Sequence, residues 1–479
     1  MTIVQSPLQR ADEPCAGGIF VARNSLYVAL FALLATYFLA WPVWRSQFLI
    51  EIWLTEGWNA YFQDAAASGA RLYPEASSLT VNNYPPLSFY FVGLLGRLCG
   101  DNLFVGRMIS LVGLVGVAVE IFLCVRTLAG GRAGAMIGAF WYVAIMSHNS
   151  SAYVGANDPQ LAGESIMGAG LVLLLARDAA GKSATLALLI MVVGGFWKHN
   201  MIGIPLTAVA WLFLNQGKQA IRPVGISALA AGAGLLICGA MFGKEFSENL
   251  LVARDYSIGH VLGNIGHLQW SAPAMIIWAI WASTNRSAAA RFTMLHVPIG
   301  LFACMFQWLG DGVFGNAEFD LILALGIAVG VTFEHVQSSI FAQRFGTAFA
   351  QVTMVAILAI RLVATDRHEP ALILLDPEFR SQLYAGERSV RAEAVRVETI
   401  PGDVYCSNKV VCRLAGKPFM VDDFKVEQMV ATGAVTKLQL DTILKSRKIV
   451  SFNSDVLGRG LVDTSFSRSM MHADAEKHP

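Results

Sequence analysis

The chain has 479 residues, of which 55% are hydrophobic and 14% charged, with a formal net charge of +1 and a mean hydropathy of +0.53. A soluble globular protein does not carry this much apolar surface, so the composition excludes that class and predicts a multi-span membrane protein. The small net charge and the lack of a basic run give no indication of a nucleic-acid partner.

The N-terminal segment is polar and carries Arg10 and Arg23, and the apolar segment that begins at Leu26 lacks a small-residue cleavage site. We therefore predict a cytoplasmic segment over residues 1–25, followed by a first span rather than a cleaved signal peptide. About 20 apolar residues cross a bilayer. The candidate spans are 26–44, 103–125, 134–150, 160–176, 184–197, 201–214, 224–243, 269–283, 292–309, 318–333 and 348–365.

The apolar stretch from Pro85 to Leu95 is bounded closely by Arg97 and Asp101, so we predict a short helix on or dipping into the membrane interface. With that stretch left out, the even-numbered short connections carry arginine and lysine. They contain Arg126, Arg132, Arg177, Lys182, Lys218, Arg222, Arg286, Arg291 and Arg344. The positive-inside rule places these connections in the cytoplasm, and the odd-numbered ones, including the long first loop (45–102), outside.

The tail over 366–479 is charged and contains no further span, so after eleven crossings it lies outside the cytoplasm. Val404–Cys406, a helix through Leu414 and Pro418–Val421 read as strand, helix and strand, which predicts a small α/β domain. Cys406 and Cys412 both lie in this domain. They pair as a disulfide in an oxidising compartment or are two core residues, and the sequence leaves both readings open.

The first outer loop combines an acid with aromatic residues: Glu56 lies near Trp58 and Tyr61, and Asn83-Tyr84 precedes Pro85-Pro86-Leu87. A carboxylate that aromatic rings desolvate is a better base, because desolvation raises its pKa. Alternatively, Glu56 caps or solvates an interfacial helix whose aromatic residues form an interface belt.

The order of these motifs resembles the GT-C superfamily: an acid soon after the first span, then Leu72-Tyr73-Pro74, then Tyr84-Pro85-Pro86-Leu87. The chain is most similar to the bacterial relatives of the dolichyl-phosphate-mannose protein mannosyltransferases and of the lipid A aminoarabinose transferase, over about residues 26–335. The resemblance implies a transmembrane catalytic domain over 26–365, with juxtamembrane helices in its first outer loop. It also implies transfer of a hexose or pentose from a polyprenyl phosphate to an acceptor hydroxyl at the outer face.

The resemblance places the family's first-loop acid on Glu56 and its second-loop acid on Asp158, which also stands where it can cap a helix. The chain departs from the family at Thr55, where relatives have a second acid, and at Tyr84, where many have a basic residue. Lys198 stands where similar lysines engage the lipid phosphate, although an interfacial lysine also snorkels.

Besides Lys198, seven outer-loop residues are candidates for substrate binding. They are Tyr61, Asn83, Tyr84, His199, Arg254, Asp311 and Asn316. His199 is a donor or satisfies a backbone carbonyl, and Arg254 is a second candidate phosphate contact. Asp311 and Asn316 belong to a polar connection in which Asn316 can instead cap the next span.

These observations predict a polytopic glycosyltransferase of a bacterial plasma (inner) membrane, with its site facing the periplasm or exterior. Glu56 or Asp158 is the expected base, and Lys198 the phosphate clamp, in an inverting displacement. The expected partners are a polyprenyl-phosphate sugar, membrane lipid and a glycan, glycolipid or protein acceptor, with no cofactor or metal. Two alternatives remain: a lipid-linked-sugar flippase, which favours charges near the bilayer midplane, and a polysaccharide ligase or polymerase of different fold.

Overall fold

A computed structural model of the protein describes residues 14–364 and 368–454. Residues 1–13 of the predicted N-terminal segment and 455–479 of the predicted outer domain therefore lie outside the described residues. In chain order the helices up to residue 364 are α1 (Pro14–Arg45), α2 (Glu56–Ser68), α3 (Leu87–Cys99), α4 (Asn102–Ala129), α5 (Arg132–Asn149), α6 (Gln160–Ala179), α7 (Thr185–Trp197), α8 (Gly203–Gln216), α9 (Ile221–Phe242), α10 (Lys244–Leu250), α11 (Ile258–Asn264), α12 (Ala272–Ala282), α13 (Ala288–Gln307), α14 (Phe319–Glu334), α15 (Ile340–Phe345) and α16 (Thr347–Val363).

A helix occupies each of the eleven predicted spans, so the all-α polytopic membrane fold is confirmed. By length and composition, five helical segments among the described residues are able to cross a membrane: Arg23–Arg45, Asn102–Ala129, Gly203–Phe242, Ala288–Gln307 and Gly315–Glu334. Others are short. At about 1.5 Å per residue, α12 extends only about 17 Å, roughly half of a bilayer core.

Helix α14 lies at the centre of the bundle, where every residue from Phe319 to Phe333 is buried. Helix α14 packs closely on α5. A Cβ added at Gly138 of α5 would lie only 2.4 Å from the backbone oxygen of Gly326, so glycine at position 138 allows this close approach. Helix α9 is peripheral, and its Leu229 and Leu236 side chains are about three-quarters exposed. Large apolar side chains on an outer helix are typical of a surface that faces lipid.

The first outer loop contains α2 and α3, which pack against each other and above α4. The short helix predicted near Pro85 is present as α3, which has 13 residues. Gly57 allows α2 to approach the tail, because a Cβ there would lie 2.5 Å from the Cβ of Lys409. The loop is therefore a folded layer over the outer ends of the spans.

The tail forms a small domain of five helices and two short strands among its described residues. They are α17 (Glu369–Leu375), α18 (Pro377–Glu398), β1 (Val404–Cys406), α19 (Lys409–Leu414), α20 (Asp423–Ala431), α21 (Lys437–Ser446) and β2 (Val450–Phe452). The strands pair in parallel, with Val404 opposite Val450. Cys406 and Cys412 form a disulfide.

The strand predicted at Pro418–Val421 is wrong. The second strand is β2, and the 418–421 segment has no regular secondary structure and pairs with neither strand. Its neighbours bind the first outer loop instead: the Tyr61 hydroxyl donates to the Lys417 carbonyl at 2.9 Å, and the Asp422 amide donates to the Leu79 carbonyl at 2.9 Å. These two contacts join both ends of the segment to the first outer loop.

Candidate functional site

A cavity of about 440 Å³ lies between the outer connections of the helical bundle and the C-terminal domain. Its polar and aromatic lining residues are Thr55, Trp58, Asn83, Tyr84, Lys198, His199, Asn200, Arg254, Tyr256, Gln307, Phe314, Asn316, Lys409, Asp422, Asp423, Phe424 and Glu427. Six of the ten residues predicted to form the site line it. These six are Asn83, Tyr84, Lys198, His199, Arg254 and Asn316.

Lys198 is fixed at the cavity wall by two groups. It ends α7, where its extended backbone (φ −153°, ψ 123°) turns the chain away from the helix. Its Nζ lies 3.9 Å from the centre of the Tyr84 ring and 3.3 Å from Asp158 Oδ1, and only 1% of the residue is exposed. Burial favours the neutral amine, but Asp158 and Tyr84 outweigh it and raise the pKa of Lys198. The ammonium is therefore a fixed positive charge.

Asp158 joins the second outer connection to both Lys198 and the first outer loop. Its Oδ1 also accepts a hydrogen bond from the Gln160 amide at 2.8 Å. This bond caps the start of α6. Its Oδ2 lies 3.4 Å from the Thr55 hydroxyl, and Thr55 lines the cavity. Asp158 is itself 5% exposed. The residue thus caps a helix and orients the lysine at the same time.

Glu56 lies beneath the cavity wall and is not among its lining residues. Arg107 holds it with two hydrogen bonds: Nε to Oε1 at 2.8 Å and a terminal nitrogen to Oε2 at 2.7 Å. The amides of Ile52 and Asn157 donate to the same carboxylate at 2.6 and 2.7 Å. Both members of the ion pair are fully buried. This arrangement ties the first and second outer connections to α4.

Tyr61, Asp311 and Asp158 also lie outside the cavity lining. The Tyr61 ring stacks on Phe419 with ring centres 5.1 Å apart. The Asp311 carboxylate accepts a hydrogen bond from the Gln428 side-chain amide at 2.7 Å. Tyr61 and Asp311 therefore fasten the C-terminal domain to the outer loops.

His199 and Arg254 form a second polar part of the cavity lining. His199 is exposed to the cavity, yet desolvation by the neighbouring protein, with the charges of Lys198 and Arg254, lowers its pKa to about 4. The imidazole is therefore neutral at pH 7. The Arg254 guanidinium lies 4.9 Å from the centre of the Phe424 ring, so it joins the fourth outer loop to α20.

The C-terminal domain contributes charged residues to the cavity that no sequence motif identifies. Lys409 donates to Asp423 Oδ2 at 2.6 Å, and Trp58 donates to Asp422 Oδ2 at 2.8 Å. Burial raises the pKa of Asp422 to about 6, against the opposing effect of Lys409. Trp58 and Asp422 are 364 residues apart in the chain, and no motif links them.

Glu51 is a further buried acid at this junction. Burial raises its pKa to about 8, although the charge of Lys409 and hydrogen bonds from the Gly57 and Lys409 amides oppose that effect. Across residues 14–364 and 368–454, no group of three or more histidine, cysteine, aspartate or glutamate side chains has a metal-binding arrangement.

Several solved structures match most of the chain, and two of them have a TM-score above 0.5. ArnT from Cupriavidus metallidurans bound to undecaprenyl phosphate is 16% identical, with a TM-score of 0.55, over 90% of this chain and 91% of that chain. The same protein in the apo state is 14% identical, with a TM-score of 0.52 and the same coverage. No protein-family model and no curated protein matches the sequence. The chain therefore has the fold of these two ArnT structures, as expected from its resemblance to the GT-C superfamily.

Proposed function

We propose that the protein is a membrane glycosyltransferase that moves a sugar from a polyprenyl-phosphate donor to a hydroxyl of an envelope acceptor. The observation that carries this proposal is the buried Lys198 ammonium, which Asp158 and Tyr84 hold at the wall of a cavity on a GT-C fold. A fixed cation at a cavity wall is suited to an anionic group. The bound undecaprenyl phosphate of the ArnT structure supports a lipid-linked donor of the same class.

Lys198 and Arg254 are the proposed contacts of the donor phosphate. When the glycosidic bond breaks, its electron pair leaves with the phosphate oxygen, and the phosphate becomes more negative. Cations already in place stabilise this developing charge without reorganising, so they lower the barrier. A phosphate is a good leaving group, and the reaction therefore needs no general acid.

Asp158 is the proposed base. Its Oδ2 lies 3.4 Å from the hydroxyl of Thr55, which lines the cavity, so the carboxylate stands directly behind that wall. Asp158 would take the proton from the acceptor hydroxyl as that oxygen attacks the anomeric carbon opposite the phosphate, which inverts the configuration. For Glu56, four hydrogen bonds from Arg107, Ile52 and Asn157 favour a positioning role. That Glu56 is the base remains a prediction, which the E56Q variant tests.

The proposed orientation puts this cavity on the outer face of a bacterial plasma membrane. The basic residues of the even-numbered connections support it through the positive-inside rule. The Cys406–Cys412 disulfide is also typical of an oxidising compartment. An alkaline phosphatase fusion after residue 454 should be active, and one after Lys182 inactive. The reverse pattern would contradict the orientation.

Transfer can be tested with membranes that contain the protein and a panel of undecaprenyl-phosphate hexoses and pentoses labelled in the sugar. We expect one donor to lose its label to an acceptor, with release of undecaprenyl phosphate. K198A should reduce this transfer at least tenfold, and K218A, which removes an exposed lysine far from the cavity, should not. Movement of label across the bilayer without transfer would favour a flippase instead.

A further inference from the structure

The C-terminal domain forms a distinct wall of the cavity. Lys409, Asp422, Asp423, Phe424 and Glu427 all line it, and they lie on or next to α19 and α20. This wall contains three carboxylates, whereas the wall from the helical bundle contains Lys198 and Arg254. The two walls therefore suit chemically different groups.

Asp422 and Asp423 are adjacent, but they differ in how much hydrogen-bonding capacity their carboxylates retain for a ligand. Both oxygens of Asp422 accept protein donors: Oδ2 accepts the Trp58 indole, and Oδ1 accepts the Phe424 amide at 3.1 Å. Asp422 is 4% exposed. Asp423 is held by the Tyr405 hydroxyl and by Lys409, yet 39% of its side chain is exposed. Since each carboxylate oxygen accepts about two hydrogen bonds, Asp423 retains capacity for ligand hydroxyls.

Lys409 complements this acceptor with donors. Its Nζ lies 2.6 Å from Asp423 Oδ2, and its ammonium carries three hydrogens. A carboxylate and an ammonium held side by side bind a pair of neighbouring hydroxyls, each of which donates one hydrogen bond and accepts another. The exposed Tyr256 ring, 70% accessible, borders the same cavity and offers an apolar face for the C–H side of a sugar ring.

A peptide acceptor fits this wall less well. One recurring way in which an extended peptide binds is to add a strand to a sheet edge. Neither described strand of the domain, Val404–Cys406 or Val450–Phe452, contributes a residue to the cavity lining. The wall instead presents side-chain carboxylates, an ammonium and aromatic rings.

We infer that Asp423 and Lys409 bind neighbouring hydroxyls of the acceptor, and that the acceptor is a saccharide, free or lipid-linked, rather than a protein. This inference rests on the proposed transferase function. It assigns the donor phosphate to the helical bundle and the acceptor to the C-terminal domain. D423N and E427Q are the informative variants, because Glu427 is exposed on the same wall. D441N removes an exposed acid of α21 that does not line the cavity, and is the matched control.

The experiment uses full-length protein in membranes, the labelled donor, and the total glycolipid fraction of the same membranes as acceptor. The labelled product should survive proteinase K. D423N should raise the half-saturating amount of glycolipid at least tenfold, as expected for lost hydrogen bonds to a charged group, while the donor KM changes less than twofold. E427Q should shift the same parameter in the same direction, and D441N should match the wild type.

The possible failures are distinct. A protease-sensitive product overturns the saccharide assignment while leaving the transferase proposal intact. Normal acceptor dependence in a folded D423N, or in E427Q if D423N does not fold, overturns the role of this wall. If the wild type transfers no label from any donor, the proposed function and this inference fall together.

Discussion

Arg107 and Glu56 form a bidentate ion pair that is fully buried between α4 and α2. The pair also gathers backbone groups, because Arg107 donates to the carbonyls of Phe48 and Ile50 at 2.5 and 2.6 Å. It therefore fixes the path of the first outer loop, on which Thr55 and Trp58 reach the cavity.

Neutralising Glu56 should destabilise the protein, because E56Q leaves the Arg107 charge buried without its partner. Breaking a buried pair in this way costs about 3–5 kcal/mol. We expect a clearly lower thermal midpoint for E56Q in detergent. E75Q, which breaks an exposed pair with Arg71, should change stability by about 1 kcal/mol or less. An E56Q protein with wild-type stability and no transfer would instead identify Glu56 as the base.

Tyr84 should contribute to phosphate binding through its aromatic ring. The Lys198 ammonium lies 3.9 Å from the ring centre, and such a contact is worth about 0.5–2 kcal/mol. We expect Y84L to weaken binding of undecaprenyl phosphate by roughly that amount and Y84F to weaken it much less. Equal losses in both variants would mean that the hydroxyl, and not the ring, is the important group.

His199 should make the protein sensitive to acid. Its folded pKa of about 4 lies below the ordinary value of 6.5, so between these values the unfolded chain binds a proton that the folded protein does not. The stability is present above pH 6.5 and is lost as the pH falls towards 4. The thermal midpoint should therefore fall less between pH 7 and pH 5 in H199Q than in the wild type. An identical fall in both proteins would argue against the neutral, crowded imidazole.

Trp58 should anchor the C-terminal domain. Its indole nitrogen donates to Asp422 Oδ2 and to the Val81 carbonyl, at 2.8 and 3.1 Å. W58F leaves these buried acceptors without that donor, at a cost of about 1–3 kcal/mol. Amide hydrogen exchange across α20 should then be faster. W44F is the control, because the Trp44 indole nitrogen has no hydrogen-bond partner in the described part of the chain. Unchanged exchange in W58F would mean that other contacts carry the docking.

The sequence predicts the helices well because lipid imposes a simple rule. Backbone groups in hydrocarbon must bond within their own segment, so each apolar stretch becomes a helix, as the eleven segments do. The prediction failed at Pro418–Val421. There the backbone of the tail forms hydrogen bonds with Tyr61 and Leu79 of the first outer loop. Local alternation of residues carries no information about such a distant partner.

The cavity lining was predictable where a residue stands in a short connection between two predicted spans. Lys198 and Asn316 are of this kind, and both line the cavity. Lys409 and Asp423 were not predictable, because their place in the cavity lining depends on how the whole tail folds back. The Arg107–Glu56 pair shows the same limit, since the sequence reveals an acid after the first span but not the buried arginine 51 positions later.

The binding of undecaprenyl phosphate to the purified protein in lipid nanodiscs, measured for the wild type, K198A and K218A, tests whether Lys198 contacts the phosphate. We expect saturable binding to the wild type and K218A with similar affinity, and binding at least tenfold weaker to K198A. Equal affinity of K198A and the wild type would contradict this expectation, because the ammonium beside Tyr84 and Asp158 would then not be the phosphate contact.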